Sequence, residues 1–179
     1  VYSNDQIQLV GKDCTSNKKN VVPINFEYPN NIFEVGDLLK IDFEEVLIQI
    51  IDIKEKSVFA KVLTGGVLRS NKGISVDRQI SLPPFTQKDY EIIKIAKDLK
   101  IKTIFLSFCS NGESIKKLRE LFNYQINIIS KVESQLGLIN IDEICSFSDG
   151  ILIDRGDLSR DVAIEKIAFA QSFIIQKGK

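Results

Sequence analysis

Apolar positions along the chain keep two rhythms, and the change falls close to residue 80. Up to about Arg78 they come in short alternating or β-branched runs. Turn signals separate them at Asn17-Lys18-Lys19-Asn20, Pro29-Asn30-Asn31, Gly36-Asp37 and Gly65-Gly66. That spacing predicts an all-β module over residues 1–78, a small barrel or sandwich. Its clearest strands are expected at residues 38–42, 46–50 and 58–63, with turns at Glu44-Glu45 and Lys54-Glu55-Lys56. After Leu82-Pro83-Pro84 the spacing becomes helical: Ile92, Ile93, Ala96 and Leu99 share a face, and Thr86 is placed to cap it ahead of Asp89 and Glu91. A strand at residues 103–108 follows, then a helix near 113–122, a strand at 126–131, a helix around 139–146, a strand at 151–153 and a last helix over 162–176. Helix and strand alternating at short intervals imply parallel strands with helices outside, in a barrel or a doubly wound sheet over residues 79–179. Three strands cannot close a barrel, so in that case roughly five of the usual eight lie outside the chain.

Two strand ends carry the candidate chemistry. Ile128-Ile129-Ser130-Lys131-Val132-Glu133 and Gly150-Ile151-Leu152-Ile153-Asp154-Arg155-Gly156-Asp157 each run an apolar strand into charged side chains. An unbroken Ile/Leu run belongs to a strand covered on both faces, so charge at its end needs a reason. At the carboxyl ends of parallel barrel strands, successive strands feed one site, which would make Lys131, Glu133, Arg155 and Asp157 converge. A lysine beside two carboxylates reads as a hard-oxygen magnesium site next to a cation, an arrangement suited to phosphoryl transfer. Salt bridges on the surface at strand ends are the plainer alternative.

Composition narrows the chemistry. The chain has 179 residues, 44% of them hydrophobic, enough for a sizeable core. Its 24 basic and 24 acidic residues cancel, so no bulk field favours nucleic acid or an anionic membrane. No apolar run approaches a membrane span, and Val1-Tyr2-Ser3-Asn4-Asp5 is unlike a secretory leader. Cys14, Cys109 and Cys145 are odd in number and far apart, which suits reduced thiols and an intracellular compartment. Histidine is absent, which removes Ser/His/Asp and Cys/His catalysis and leaves acid, base and metal work to Asp, Glu and Lys. With no histidine to activate it, Cys109 is expected to be a half-buried, unreactive thiol. The lack of any methionine suggests a piece of a longer chain.

The chain resembles the pyruvate kinase family over most of its length and in the family's order. The resemblance is carried by Thr64-Gly65-Gly66-Val67-Leu68-Arg69-Ser70-Asn71-Lys72-Gly73, Ser81-Leu82-Pro83 with Lys88-Asp89, Ser107-Phe108, Ser130-Lys131-Val132-Glu133, and Ser148-Asp149-Gly150 through Arg155-Gly156-Asp157-Leu158. It implies an α/β fold class: a partial TIM (β/α)8 barrel, its fourth to sixth strands, preceded by a small all-β barrel domain inserted in it. The activity implied for the parent protein is phosphoryl transfer from phosphoenolpyruvate to ADP, giving pyruvate and ATP in glycolysis.

By the same resemblance, Lys131 neutralises charge on the transferring phosphoryl group and the enolate, and is the catalytic residue. Glu133 and Asp157 hold the divalent cation, Mg2+ or Mn2+. Gly156 and the Asp157 amide receive the substrate carboxylate, Arg155 orients the site, and Lys72 approaches the nucleotide phosphates. A potassium ion is implied too, with ligands outside this chain. So are a homotetrameric parent and a cytoplasmic location, with a plastid as the alternative. The family's Asp-Asp-Gly turn is here Asp42-Phe43-Glu44; Asp77-Arg78, Ser134, Asp154 and Ser159 also depart from its pattern. Two other readings are a magnesium-dependent lyase or aldolase acting on pyruvate enolate, and a non-catalytic relic whose open strand edges drive association. The isolated 179 residues are expected to show no phosphoryl transfer.

Overall fold

Alternating residues in nearly the first half of the chain become one mixed sheet because every second side chain is apolar and turns inward. In the computed structural model, which describes residues 1–14, 18–42, 46–55, 57–80 and 82–179, the chain divides into two units, Val1–Ser81 and Leu82–Lys179. The first holds β1 (Gln6–Val10), β2 (Val21–Pro23), β3 (Leu38–Ile41), β4 (Val46–Lys54), β5 (Ser57–Thr64) and β6 (Ile74–Val76), in the order β2-β1-β5-β4-β3-β6. Only β1 and β2 run parallel among the pairings described. Ile7, Leu9, Leu39, Ile41, Val46, Ile48, Ile50, Val58, Ala60 and Val62 meet in its core.

β4 runs four residues past the expected end at Ile50. A register shift between Ile50 and Asp52 takes up one extra residue, so that exposed Ile51 is followed by Ile53 packed inward again. Strict alternation ends at Ile50, which is why the sequence pattern stopped there. The expected turn at Glu44-Glu45 lies outside the described residues, as do Phe43, Lys56 and Ser81.

Asp37 is a buried carboxylate of this unit. Arg78 grips it bidentately, Nε to Oδ1 at 2.7 Å and Nη2 to Oδ2 at 3.0 Å, and donates to the Ile32 carbonyl as well. Burial pushes the Asp37 carboxyl up, but the Arg78 hydrogen bonds and the Glu34 amide outweigh it and leave it below the ordinary aspartate value. Asp77 accepts from the Leu38 amide. The Asp77-Arg78 pair thus fastens the end of β6 to the start of β3.

In the second unit Thr86 caps α1 (Gln87–Asp98) in a full capping box with Asp89. Then come β7 (Thr103–Leu106), α2 (Gly112–Glu120), β8 (Asn127–Val132), α3 (Gln135–Ile139), α4 (Ile141–Phe147), β9 (Gly150–Ile153), α5 (Arg155–Leu158) and α6 (Ile167–Lys177). The three strands are parallel in the order β7-β8-β9. This is an α/β arrangement with helices in the crossovers.

Three boundaries differ from the pattern. β7 stops at Leu106, because Phe108 takes a left-handed backbone (φ 49) and turns its amide to Glu133. The helix expected around 139–146 is two helices meeting at Asn140, whose side chain donates to the Ser110 carbonyl. The last helix begins at Ile167, after a 3-10 turn at Ile164–Lys166. Among the described residues, no helix is long and apolar enough to cross a membrane.

Candidate active site

β8 places the site. Ile128, Ser130 and Val132 are buried on one side of the strand, so Lys131 points to the other with Ile129. The next strand follows in register, Ile129 opposite Gly150 and Val132 opposite Ile153. A Cβ at Gly150 would stand 2.9 Å from the δ-methyl of Ile129, a contact that a turn of that side chain relieves. One step beyond the Val132–Ile153 pair lie Glu133 and Asp154, brought side by side at the strand ends.

The Glu133 side chain is fully buried. The Lys131 ammonium stands 2.5 Å from its Oε1, and the Phe108 amide donates to Oε2 at 2.6 Å. A buried carboxylate held by an ammonium and a backbone N–H is compensated at both oxygens. Lys131 is also 3.6 Å from Asp154 Oδ2. The hydrogen bond to Glu133 raises the lysine above its ordinary value, burial opposes this, and the charges of Glu133 and Asp154 add to it. Lys131 is therefore a fixed, fully charged ammonium at neutral pH.

Asp154 is the N-cap of α5, accepting from the Asp157 amide at 3.3 Å. Asp157 in turn pairs with Arg160 at 3.1 Å. Carboxylate oxygens of Glu133, Asp154 and Asp157 all lie within 4.8 Å of one another, a donor set that suits a hard divalent cation. The expected pair Glu133 and Asp157 is thus together, and Asp154 joins it. Gly156 and Arg155 are exposed at the start of α5, and among the described residues Arg155 makes no side-chain ion pair.

Below the site, the buried Ser130 hydroxyl lies 2.7 Å from the Ser148 hydroxyl, which also reaches the Ile144 carbonyl. Cys109 is buried rather than half-buried, and burial pushes its thiol up, consistent with an unreactive side chain.

Lys72 belongs to the first unit. Its ammonium is 2.8 Å from Asp42, whose amide donates to the Gly73 carbonyl. Asp42 and Asn71 both have left-handed backbones, φ 58 and 60, so the two turns that carry this pair are tightly folded.

Two contributors escaped the sequence reading. Arg160 lies three residues after Asp157, just past the end of α5, where no helical spacing marks it. The Phe108 amide carries none, since any residue supplies one.

A family model described as the pyruvate kinase barrel domain matches residues 1–179. The chain belongs to the pyruvate kinase family. Among similar proteins, a pyruvate kinase of Thermococcus litoralis is 28% identical over 97% of this chain and 37% of its own length. One of Methanocaldococcus jannaschii is 30% identical over 96% and 39%, and one of Geobacillus stearothermophilus 32% over 86% and 28%. The chain thus spans about a third of the length of the curated relatives it matches. Three parallel strands with crossing helices are consistent with an arc of the family's barrel.

Proposed function

We propose that the full-length protein transfers a phosphoryl group from phosphoenolpyruvate to ADP, and that Lys131, Glu133 and Asp157 supply the metal and phosphoryl side of that site. The observation that supports this most is the Lys131 ammonium, held against Glu133, one of three clustered carboxylates. Under this reading residues 79–179 are strands four to six of a (β/α)8 barrel, and residues 1–78 are the small β domain inserted in it.

Each residue has a task that its surroundings favour. Glu133 and Asp157 would hold a magnesium ion, which supplies Lewis-acid stabilisation of substrate oxygens when bound. Lys131 offers a positioned charge where negative charge builds on the transferring group, and its contact with Glu133 keeps it from swinging into water. The raised lysine value keeps it protonated, so it stabilises charge and does not act as a base. Gly156 and the Asp157 amide receive the substrate carboxylate once Asp154 releases that amide. Lys72 meets the nucleotide phosphates.

Replacing Lys131 by Ala in the full-length protein should lower kcat for pyruvate formation by at least about a thousandfold, on the scale of losing a key transition-state contact. Divalent-metal binding, followed by Mn2+ relaxation, should persist. A variant with near wild-type kcat would remove Lys131 from this role.

A further inference from the structure

At the opposite end of the three-stranded sheet, the amino ends of β7 and β8, an open cavity of about 470 Å³ is lined by Lys97, Lys100, Lys102, Asn123, Tyr124 and Gln125. It is roughly 20 Å from the carboxylates, a six-residue strand at 3.3 Å per residue. We infer that this cavity is a binding site for a small phosphate-bearing metabolite, with Lys97, Lys100 and Lys102 as its cationic ligands. No carboxylate lines it, and none of the three lysines takes part in an ion pair among the described residues. Three ammoniums on one concave surface that no carboxylate lines suit an anion of two or more charges.

The backbone gives a second, independent observation. α1 ends in a Schellman motif: the Ile101 amide donates to the Ala96 carbonyl at 2.9 Å and the Lys100 amide to the Lys97 carbonyl at 3.1 Å. Its left-handed position (φ 52) is held by Lys100, where glycine is the usual residue. The chain carries a strained lysine where it would be easier to carry none, and strain of this kind gathers at binding sites. A cation at a helix carboxyl end explains Lys97 through the helix dipole. It explains neither a left-handed Lys100 nor Lys102, which lies outside the helix.

The turn is also held in place. The Tyr124 hydroxyl lies 3.2 Å from the Ala96 carbonyl and 3.1 Å from that of Ile101, bridging the two ends of the motif. The edge of Phe122 packs against the Tyr124 ring. Asn123 and Gln125 add carboxamides suited to hydroxyl groups on the ligand. A net charge of zero and a compact local cluster, rather than a basic stripe, favour a small molecule over nucleic acid.

The test is calorimetric titration of the full-length protein with inorganic pyrophosphate, without divalent metal and at low salt. Lys97→Gln/Lys102→Gln should weaken binding at least tenfold. Lys100→Gly should weaken it about fivefold while leaving the thermal midpoint unchanged or higher, since glycine relieves the strained turn, so lost binding could not be blamed on misfolding. Lys131→Ala should bind as wild type does. No heat of binding by the wild-type protein, unchanged affinity in the lysine variants, or loss in Lys131→Ala would overturn the proposal. So would equal affinity for sulfate, or a single-stranded oligonucleotide that displaces pyrophosphate.

Discussion

Lys131 sits between two carboxylates of different standing: Glu133 is fully buried, whereas Asp154 is about a third exposed at its side chain. That difference decides what each does. Removing the charge of Glu133 leaves the ammonium facing Asp154 at 3.6 Å in place of its buried partner, and breaking a buried pair costs about 3–5 kcal/mol. Glu133→Gln should therefore lower stability by about 3 kcal/mol in urea denaturation, even with the Phe108 amide still bonded; an unchanged midpoint would mean the pair contributes little. Asp154 adds a negative charge where an anionic substrate is proposed to bind, and its cap occupies the Asp157 amide. At ~4 Å a like charge costs about 1 kcal/mol in water, or roughly fivefold in affinity. Asp154→Ala should thus lower KM for phosphoenolpyruvate about fivefold, and a higher KM would show that Asp154 helps the substrate instead. The pH sign is set by Lys131: its raised value means the stabilisation is complete below the ordinary lysine range and fades as pH rises through the raised one. Between pH 6 and 9, Lys131→Met should cost a constant increment of stability.

Among the elements, one bracket ties α2, β8 and β9 together. Arg119 donates to the Ile126 and Phe147 carbonyls and pairs with Asp149 at 2.9 Å, while Asp149 accepts the Ile128 amide at 2.8 Å. The Ile128 hydrogen bond, with the Arg119 contact, lowers the Asp149 carboxyl below its ordinary value. A lowered carboxyl stabilises above the ordinary aspartate range and loses that contribution as pH falls through the lowered value. Wild type and Asp149→Asn should differ clearly at pH 6 in guanidinium unfolding, with a gap that shrinks as pH falls below the ordinary aspartate range; a gap that the fall in pH leaves unchanged would refute the linkage. The strands and helices themselves were largely readable, from inward alternation at Val58, Ala60 and Val62 and from Thr86 three residues before Asp89. What the pattern missed were local breaks in it. The register shift after Ile50 and the left-handed Phe108 are stabilised by partners far along the chain, and periodicity cannot show those.

For the whole molecule, the second unit leaves the outer edges of β7 and β9 unpaired among the described residues. Phe105 on β7, Ile92, Ile95 and Leu99 along α1 and its end, and Phe169 on α6 are exposed at 58%, 52%, 58%, 67% and 84%. Open edges and apolar faces of this kind template association. The isolated 179 residues should self-associate at micromolar concentration in sedimentation velocity, and a clean monomer would contradict that. The sequence by itself determined the two rhythms, the order of elements, the family resemblance and the Lys131–Glu133 pair, because each rests on neighbours within a few residues. Tertiary structure alone decided that Asp154 meets Lys131, that the Phe108 amide fills the second oxygen of Glu133, and that three lysines from a helix end and a strand start share one cavity. Those pairs lie some twenty or more residues apart or depend on a single backbone angle. The register of Val132 against Ile153 and the turn at Lys100 bring them together, and neither leaves a mark in the local pattern.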